Sequence, residues 1–582
     1  MQVGAWYPLN WPFFLAGITP RSIGGELLVS GLVASAGAYF LARRLVQHET
    51  AAVGAALFYT LSGWFAAHAQ HVGMVASAAW LPWLIVGLLR FAETPHVRRL
   101  VELALVGAAI ALPGSFPIAL YTFSFVGIWA ACEATAQRSW RCARRLGLGL
   151  LAAVGWGGLL SAVMIVPGLE LASQSVRADL RALDLPDIGY FHASALLTLV
   201  DPNYYGLLSG PYTGPGDSTQ HYFYAGILLA PLVVLGAGQR RVLRTAAALG
   251  LPFLWYALGP RGGLFEVMGR LPGFRSVELP MHGWFLPALG LALLGGAGLG
   301  VVARRCGERW SAALIVLVCF DTLVVNQLLN PLAYARETFF DLYGRTLQAF
   351  DAQVAAADPP VERVYGPPLA AVAYRNHALQ SRVPTTYGYN PLELASYAAY
   401  TDAAAGANPR LIGGLAANYE LVEADRIAPL PHALPLAYVA HNVVDVADQA
   451  AARQALLGLD PATTTLVTGN APPVGADATA TVSVVQREAD GVMLRYTSAR
   501  PNLLRVAIPW YPGWHATLDG RELTLVTVDE AFIGIEVPPG DGELRLAYAP
   551  RLFWVGAFLS AIALLVAAGV YWIGTASTPT RG

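Results

Sequence analysis

Over the first ~330 residues, long apolar runs alternate with short polar breaks. A membrane-spanning helix needs roughly 20 apolar residues. The pattern predicts about eleven spans, near 23–43, 51–67, 72–91, 97–113, 116–136, 146–168, 222–238, 242–258, 282–302, 309–328 and 551–573. The breaks are of two kinds. Arg43-Arg44, Arg90 with Arg98-Arg99, Arg138 to Arg145, Arg240 to Arg244, and Arg304-Arg305 mark every second one. Those between, such as His68-Ala-Gln-His71 and Pro113-Gly-Ser-Phe-Pro117, carry no Arg. Positive loops stay in the cytoplasm, so the Arg-free breaks face outward. The outer face then receives the chain start, the loops at about 169–221 and 259–281, and a block from about 331 to 550. The C-terminus, with Arg581, falls in the cytoplasm. A bacterial inner (cytoplasmic) membrane suits this arrangement.

After Asn330 the period changes. Residues 331–475 read as a mixed α/β region, with a strand at Leu436–Asp445, an Ala-rich helix at Ala447–Leu459 and a short strand at Thr464–Thr468. From 476 to 550 the apolar positions alternate. Strands are predicted at 481–485, 492–496, 502–508, 515–518, 523–528, 532–537 and 543–548, parted by Asp490-Gly491, Asp519-Gly520 and Gly540-Asp-Gly542. Short strands at this spacing predict a β-sandwich, tethered by the last span at 551–573. The fold class is thus a polytopic α-helical membrane domain over 1–330 with an extracytoplasmic α/β and β-sandwich region before the final helix.

Composition agrees. The chain is 55% hydrophobic and 13% charged, where a soluble domain carries about 25% charge. A net charge of −1 argues against a nucleic-acid partner. Every basic residue is Arg. Cys132, Cys142, Cys306 and Cys319 form no CxxC pair, which argues against a zinc site or a disulfide framework. No phosphate-binding P-loop, dinucleotide fingerprint or nucleophile elbow occurs.

Parity poses a problem at the start. Eleven spans with the C-terminus inside put Met1 outside, yet no signal peptide or basic n-region precedes the first span. Residues 2–17 are too short and too rich in Pro, Asn and Trp to cross. Trp6, Tyr7, Trp11, Phe13 and Phe14 are expected at headgroup level. The expectation is a chain lacking an upstream span.

Several motifs resemble one family. Tyr511-Pro-Gly-Trp514 with Ala516-Thr-Leu-Asp-Gly520, the strand Leu544–Tyr548 and the terminal span look like the tail of the YfhO family of bacterial membrane proteins. Tyr59-Thr-Leu-Ser-Gly-Trp64, His68-Ala-Gln-His71, Ala79-Trp-Leu-Pro82 and Leu271-Pro-Gly-Phe-Arg275 resemble its earlier regions. The resemblance implies a GT-C-like glycosyltransferase. Its donor would be a polyprenyl-phosphate sugar, its acceptor a cell-envelope glycan or lipid, and its face the outer one. It also implies an acidic base in the first outer loop. This chain starts at what looks like the end of that loop, at Tyr7-Pro-Leu-Asn10, so no residue here takes that role and the catalytic residue is unassigned. The chain departs from the family at Gly114-Ser-Phe-Pro117 and at Pro280-Met-His282. A lipid-linked sugar transporter or flippase, and a non-catalytic envelope scaffold, are the rival readings.

Transfer needs a base for the acceptor proton and a cation or divalent metal for the leaving phosphate. On the outer side, the candidates for donor or acceptor binding are His68, Gln70, His71, Glu170, Asp201, Arg275 and Glu278. For Asp201 an Asx turn before Pro202 is the commoner role. For Arg275 and Glu278 a local ion pair competes. Asp179, Asp184 and Asp187 read as solvated loop charge. Glu26, Asp321 and Asn326 lie inside apolar runs, where polar groups mark functional or packing sites; an interhelical hydrogen bond is expected for Asp321. Gly296 and Gly300 form a small-xxx-small packing pair. Trp510, Tyr511 and Trp514 either stack on a sugar, or fill the sandwich core or contact the membrane interface.

Overall fold

The computed structural model describes residues 4–178, 189–209, 211–216, 218–277, 279–328, 339–366, 376–423, 425–469, 471–472 and 479–576. The chain forms two compact units. One comprises residues 1–168, 180–338 and 553–582; the other comprises 169–179 and 339–552.

The first unit is helical. Its helices are α1 Trp11–Ala16, α2 Pro20–Val46, α3 Glu49–Thr60, α4 Gly63–Ala67, α5 Val72–Ala78, α6 Leu81–Glu93, α7 Val97–Ala111, α8 Phe116–Gln137, α9 Trp140–Leu151, α10 Gly157–Leu160, α11 Ala162–Ser173, α12 Leu229–Gly236, α13 Arg240–Ala257, α14 Leu264–Met268, α15 Phe285–Cys306 and α16 Glu308–Asn326. The second unit carries α17 Phe339–Ala356, α18 Ala378–Ser381, α19 Ala395–Ala405 and α20 Gln449–Leu456, and α21 Arg551–Ala576 closes the chain.

Among the described residues, six helical stretches are long and apolar enough to cross a membrane: Arg21–Val46, Glu49–Ala67, Val72–Glu93, Phe116–Gln137, Pro280–Cys306 and Arg551–Ile573. The pair Trp140–Leu160 and Ala162–Ser173, bent by 81°, makes a seventh if it is one span. The expected eleven are therefore not all present as full spans. α7 has 15 residues, a rise of about 22 Å, short of the ~30 Å hydrocarbon core. At 222–238 only Leu229–Gly236 is helical. Gly63 N–H donates to the Tyr224 carbonyl (2.5 Å), and the hydroxyls of Tyr222 and Tyr224 bond Asn326 and Asp321, so this aromatic run is spent on tertiary hydrogen bonds. α13 opens on Arg240, Arg241 and Arg244, and α16 on Glu308 and Arg309; these charges dilute both runs.

Close packing depends on small residues. A Cβ on Gly296 of α15 would lie 2.4 Å from the Ala51 carbonyl of α3, and one on Gly298 would lie 2.0 Å from the Leu232 carbonyl of α12. Gly296 and Gly300 thus face α3, as the small-xxx-small spacing predicts.

The Arg clusters gather at one end of the helices. Arg44 pairs with Glu93, Arg43 with Glu49 (2.6 Å), and Arg244 with the buried Glu133 (2.8 Å). Arg145 donates to the Ala92 carbonyl (2.7 Å). Exposed tryptophans mark two levels. Trp140 and Trp310 stand at the Arg end, as does Trp572, whose neighbour Tyr571 lies beneath the Arg98 guanidinium at 5.6 Å. Trp554 and Trp6, the latter 5.7 Å from Phe553, mark the other level. From Trp554 to Trp572 a helix rises about 27 Å, close to the hydrocarbon thickness. Aromatic belts sit at such levels. Of the expected N-terminal belt, Trp6 and Trp11 are exposed, but Tyr7 is 2% exposed and its oxygen accepts the Trp80 indole N–H at 2.8 Å. Tyr7 is a packing residue, and burial pushes its hydroxyl pKa up to about 12.

The second unit contains three sheets. A small one orders β1 Val364–Tyr365, β2 Tyr419–Glu423 and β3 Arg426–Pro429. In the sheet built mainly from later strands, β11 Arg521–Leu523, β10 Trp514–Leu518, β14 Gly540–Tyr548, β8 Gly491–Ser498 and β7 Thr481–Arg487 lie side by side. The largest orders β4 Ala437–Val439, β9 Asn502–Pro509, β13 Phe532–Val537, β12 Leu525–Val528, β6 Thr465–Thr468 and β5 Val443–Val446. One apolar core draws Leu494, Tyr496, Leu544 and Leu546 from the five-stranded sheet and Leu504, Val506, Ile533 and Ile535 from the six-stranded one. Three departures from the sequence reading have local causes. Leu436–Asp445 is two strands, broken where Asn442 adopts φ 38°. The run 523–528 also divides in two, at Thr524, and Gly540-Asp-Gly542 lies within β14 rather than in a turn. The large sheet recruits β4, β5 and β6 from before residue 476, so the strand-rich region begins earlier than the period-two pattern indicates.

Candidate functional site

At the end of the helical unit away from the Arg clusters, the α4–α5 turn holds a cluster of histidines. Gly63 permits the close approach of Tyr222 and Tyr224 that fixes α4; a Cβ there would lie 2.6 Å from both. α4 then runs for a little over one turn and delivers His68. Its ring stacks on Trp64, centroids 4.4 Å apart and planes 18° apart. Its Nδ1 lies 3.0 Å from the Trp64 carbonyl, an acceptor only, so Nδ1 carries the proton and Nε2 presents a lone pair. The Trp64 indole N–H in turn donates to the His282 carbonyl at 2.9 Å. The rings of His68, His71 and His282 lie 5.4 to 6.2 Å apart.

His68 is fully buried, and its Nε2 has no hydrogen-bond partner. Burial, then the neighbouring His282 and His71, hold its pKa well below the ordinary imidazole value. At neutral pH it is a neutral hydrogen-bond acceptor, suited to a hydroxyl donor rather than to an anion. Among the described residues, no group of three His, Cys, Asp or Glu is arranged to hold a metal ion.

The neighbouring turn at 113–115 belongs to the same end. Gly114, at φ 86°, turns the chain into α8, and Ser115 caps it without a side-chain hydrogen bond. Gly273 and Leu279 lie against the first turns of α8: a Cβ on Gly273 would meet the Phe116 ring at 2.7 Å, and the Tyr121 hydroxyl donates to the Leu279 carbonyl at 3.3 Å.

The expected site residues are distributed as follows. His68 and His71 come together, and Gln70 is exposed between them. Arg275 is exposed, its Nε donating to the Gly269 carbonyl (3.1 Å). Asp201 accepts from the Asn203 N–H (3.0 Å) in an Asx turn. Glu170 belongs to the second unit, where the Tyr511 hydroxyl reaches it at 3.4 Å. Glu278, Asp179, Asp184 and Asp187 lie outside the described residues. Asp321 accepts from the Tyr224 hydroxyl (2.8 and 2.7 Å) and the Ile227 N–H (2.9 Å), as a packing residue does. Trp510 and Trp514 pack against the core of the two larger sheets. The four cysteines are free thiols.

Trp64, His282 and Ser115 were not on the list of sequence candidates. His282 carried a usable signal, because it is a histidine at the Arg-free mouth of an apolar run, like His68 and His71. Trp64 and Ser115 carried none, since a buried Trp and a Ser at the start of a helix are ordinary in such turns.

Residues 477–560 match the model of the family described as "Bacterial membrane protein YfhO". A 72-residue stretch is 31% identical to the "Uncharacterized protein YfhO" of Bacillus subtilis (strain 168) and covers 12% of this chain and 8% of that protein. The structure of the arabinofuranosyltransferase AftD from Mycobacteria aligns over 91% of this chain and 53% of that one, at 14% identity and a TM-score of 0.42. The motifs around Trp514 and the strand Leu544–Tyr548 lie inside the family match, so residues 477–560 are similar to the corresponding part of that family, and the chain spans only a small share of the relative it matches.

Proposed function

We propose that the protein is a membrane glycosyltransferase that passes a sugar from a polyprenyl-phosphate donor to a cell-envelope polymer or lipid, on the outer face of the bacterial inner membrane. The observation that carries this reading is the state of His68. A neutral imidazole, fixed through Nδ1 by the Trp64 carbonyl and offering an unpartnered Nε2, stands among His71 and His282 at the end without Arg clusters. Such a group accepts a hydrogen bond from a sugar hydroxyl and orients it. The apolar helices that flank this end suit a donor whose chain stays in lipid. The family match over 477–560 supports the membrane setting.

Membranes containing the protein, incubated with a radiolabelled polyprenyl-phosphate hexose or pentose, test this. The expected result is label in an envelope glycan or lipid, with transfer reduced at least about tenfold in His68→Ala, the scale of one positioned hydrogen bond to a reacting group. Label that crosses the bilayer but stays on the polyprenyl chain identifies a flippase and overturns the reading. Glycan binding with no transfer identifies a scaffold and overturns it equally.

A further inference from the structure

We infer that the cleft between the end of α3, α4 and the end of α16 binds a membrane lipid with an uncharged, hydroxyl-bearing head, whose acyl chain lies along the outward face of α16.

The cleft measures about 210 Å³, several times the ~30 Å³ of one water, which is room for a glycerol or a single sugar ring. Its place follows from the helix directions. α3 and α16 both start at the Arg end, where His48 and Thr50 bond Glu308. They finish together at the opposite end, where the Asn326 Nδ2 donates to the Leu61 carbonyl at 2.9 Å. Ala66, on the cleft wall, stands two residues before His68.

The lining carries no charged side chain. Four polar ones decide what can enter. Thr60 gives its proton to the Ala56 carbonyl (3.0 Å) and Thr322 to the Val318 carbonyl (2.8 Å), so each Oγ1 keeps only lone pairs. Asn326 Oδ1 accepts from the Tyr222 hydroxyl (2.8 Å), and its Nδ2 spends one proton on Leu61 and keeps the other. Gln327 adds an exposed amide with both a donor and an acceptor. Asp321, one residue before Thr322, is held by the Tyr224 hydroxyl and the Ile227 N–H. The cleft thus offers acceptors and donors together, all neutral. A hydroxyl is both, so neighbouring hydroxyls of a glycerol or sugar satisfy both kinds. A phosphate has no proton for the two threonine oxygens and meets no cation; an ammonium head meets no carboxylate in the lining.

The apolar half of the site is on α16. This helix packs on α3, α4 and α15 and buries Ile315, Val318 and Thr322. Its other face exposes Val316, Phe320 and Leu323 at i, i+4 and i+7, one continuous stripe. Leu323 also lines the cleft, so the stripe begins where the polar pocket ends. α3 and α15 belong to stretches long and apolar enough to cross a membrane, which sets the stripe against lipid chains. A soluble sugar would use the cleft alone; a glycerolipid or glycolipid uses cleft and stripe. On the proposed function, and only for this clause, that lipid is the acceptor, its head held beside the histidine turn.

The full-length protein in lauryldimethylamine oxide, a detergent without hydroxyls, tests the site by calorimetric titration with glucosyl dioctanoylglycerol, dioctanoyl phosphatidic acid and methyl glucoside. The glycolipid is expected to bind at least about tenfold more tightly than either of the others, a margin of one or two hydrogen bonds or a few buried methylenes. Thr60→Val/Thr322→Val, which keeps side-chain shape and removes both acceptors, should weaken glycolipid binding about tenfold. Thr60→Ser/Thr322→Ser, which keeps the hydroxyls, should stay within about threefold of the parent. Melting temperatures of the two double variants that match the parent's show that the change is in binding and not in folding. Equal affinities in the parent and the valine variant overturn the site. Phosphatidic acid bound as tightly as the glycolipid overturns the neutral head, and methyl glucoside bound as tightly overturns the lipid. A parent that binds no glycolipid but still transfers sugar from a polyprenyl phosphate sinks this inference and leaves the glycosyltransferase reading standing. Glycolipid binding without any transfer does the reverse.

Discussion

His68 shows how burial sets chemistry at the scale of one side chain. Its folded pKa is depressed by desolvation and by two neighbouring imidazoles. The linkage follows from that sign: the stability due to neutral His68 is fully present above the unfolded imidazole value of about 6.5 and is lost as pH falls through it. The melting temperature of the helical unit should therefore hold at neutral pH and drop below about pH 6.5. His68→Asn, which keeps a side-chain N–H for the Trp64 carbonyl, should flatten that acid limb; an unchanged limb would show that His68 is not its source. A second buried group carries a different prediction. Arg505 and Asp529 are both fully buried, 3.1 Å apart, with the guanidinium 4.1 Å over the Phe532 ring and bonded to the Gly414 carbonyl. Arg505→Met strands the carboxylate and should cost about 3–5 kcal/mol in denaturant unfolding of the second unit, with Arg505→Met/Asp529→Leu recovering most of it. A double variant as unstable as the single one would contradict that account. At this scale the sequence reveals residue type and side but not partnership. His68 and His71 were legible because they share a turn, whereas His282 joins them from more than 200 positions away.

Helices and strands were legible where a single face decides their pattern. The alternation in 481–548 reads directly because one side of each strand enters the shared core. The run at 222–238 misleads, because its tyrosines count as apolar yet use their hydroxyls to tie the chain to α16. Helix packing gives a sharp test. Gly298→Val forces α15 away from the Leu232 carbonyl and should destabilise the bundle on the order of 3 kcal/mol. Gly24→Ala in α2, where a Cβ meets nothing within 4 Å, should be neutral or stabilising by about 0.5–1 kcal/mol. Thermal melts of the two proteins check the contrast, and equal melting temperatures would remove packing as the reason for glycine at 298.

For the whole molecule, the alternating Arg clusters are the feature the sequence exposed most plainly, and the ion pairs at the ends of α2, α6, α8 and α13 gather them at one end. The span count was less legible, because apolarity does not distinguish a full crossing from the 15-residue α7 or the bent α9–α11 segment. In a variant without the native cysteines, Gln70→Cys should react with an impermeant maleimide on intact cells, and Arg141→Cys only after permeabilisation. The opposite pattern would invert the orientation and place the histidine cluster in the cytoplasm.

The central claim is that a lipid-phosphate sugar is handled at the histidine end. Photo-crosslinking of a diazirine-bearing polyprenyl-phosphate sugar to the full-length protein, followed by peptide mapping, tests it most directly. Adducts confined to the 68–71 turn, the start of α8 and residues 279–282 are the predicted result. Adducts at the Arg end, or none above those given by a plain prenyl alcohol, would contradict it.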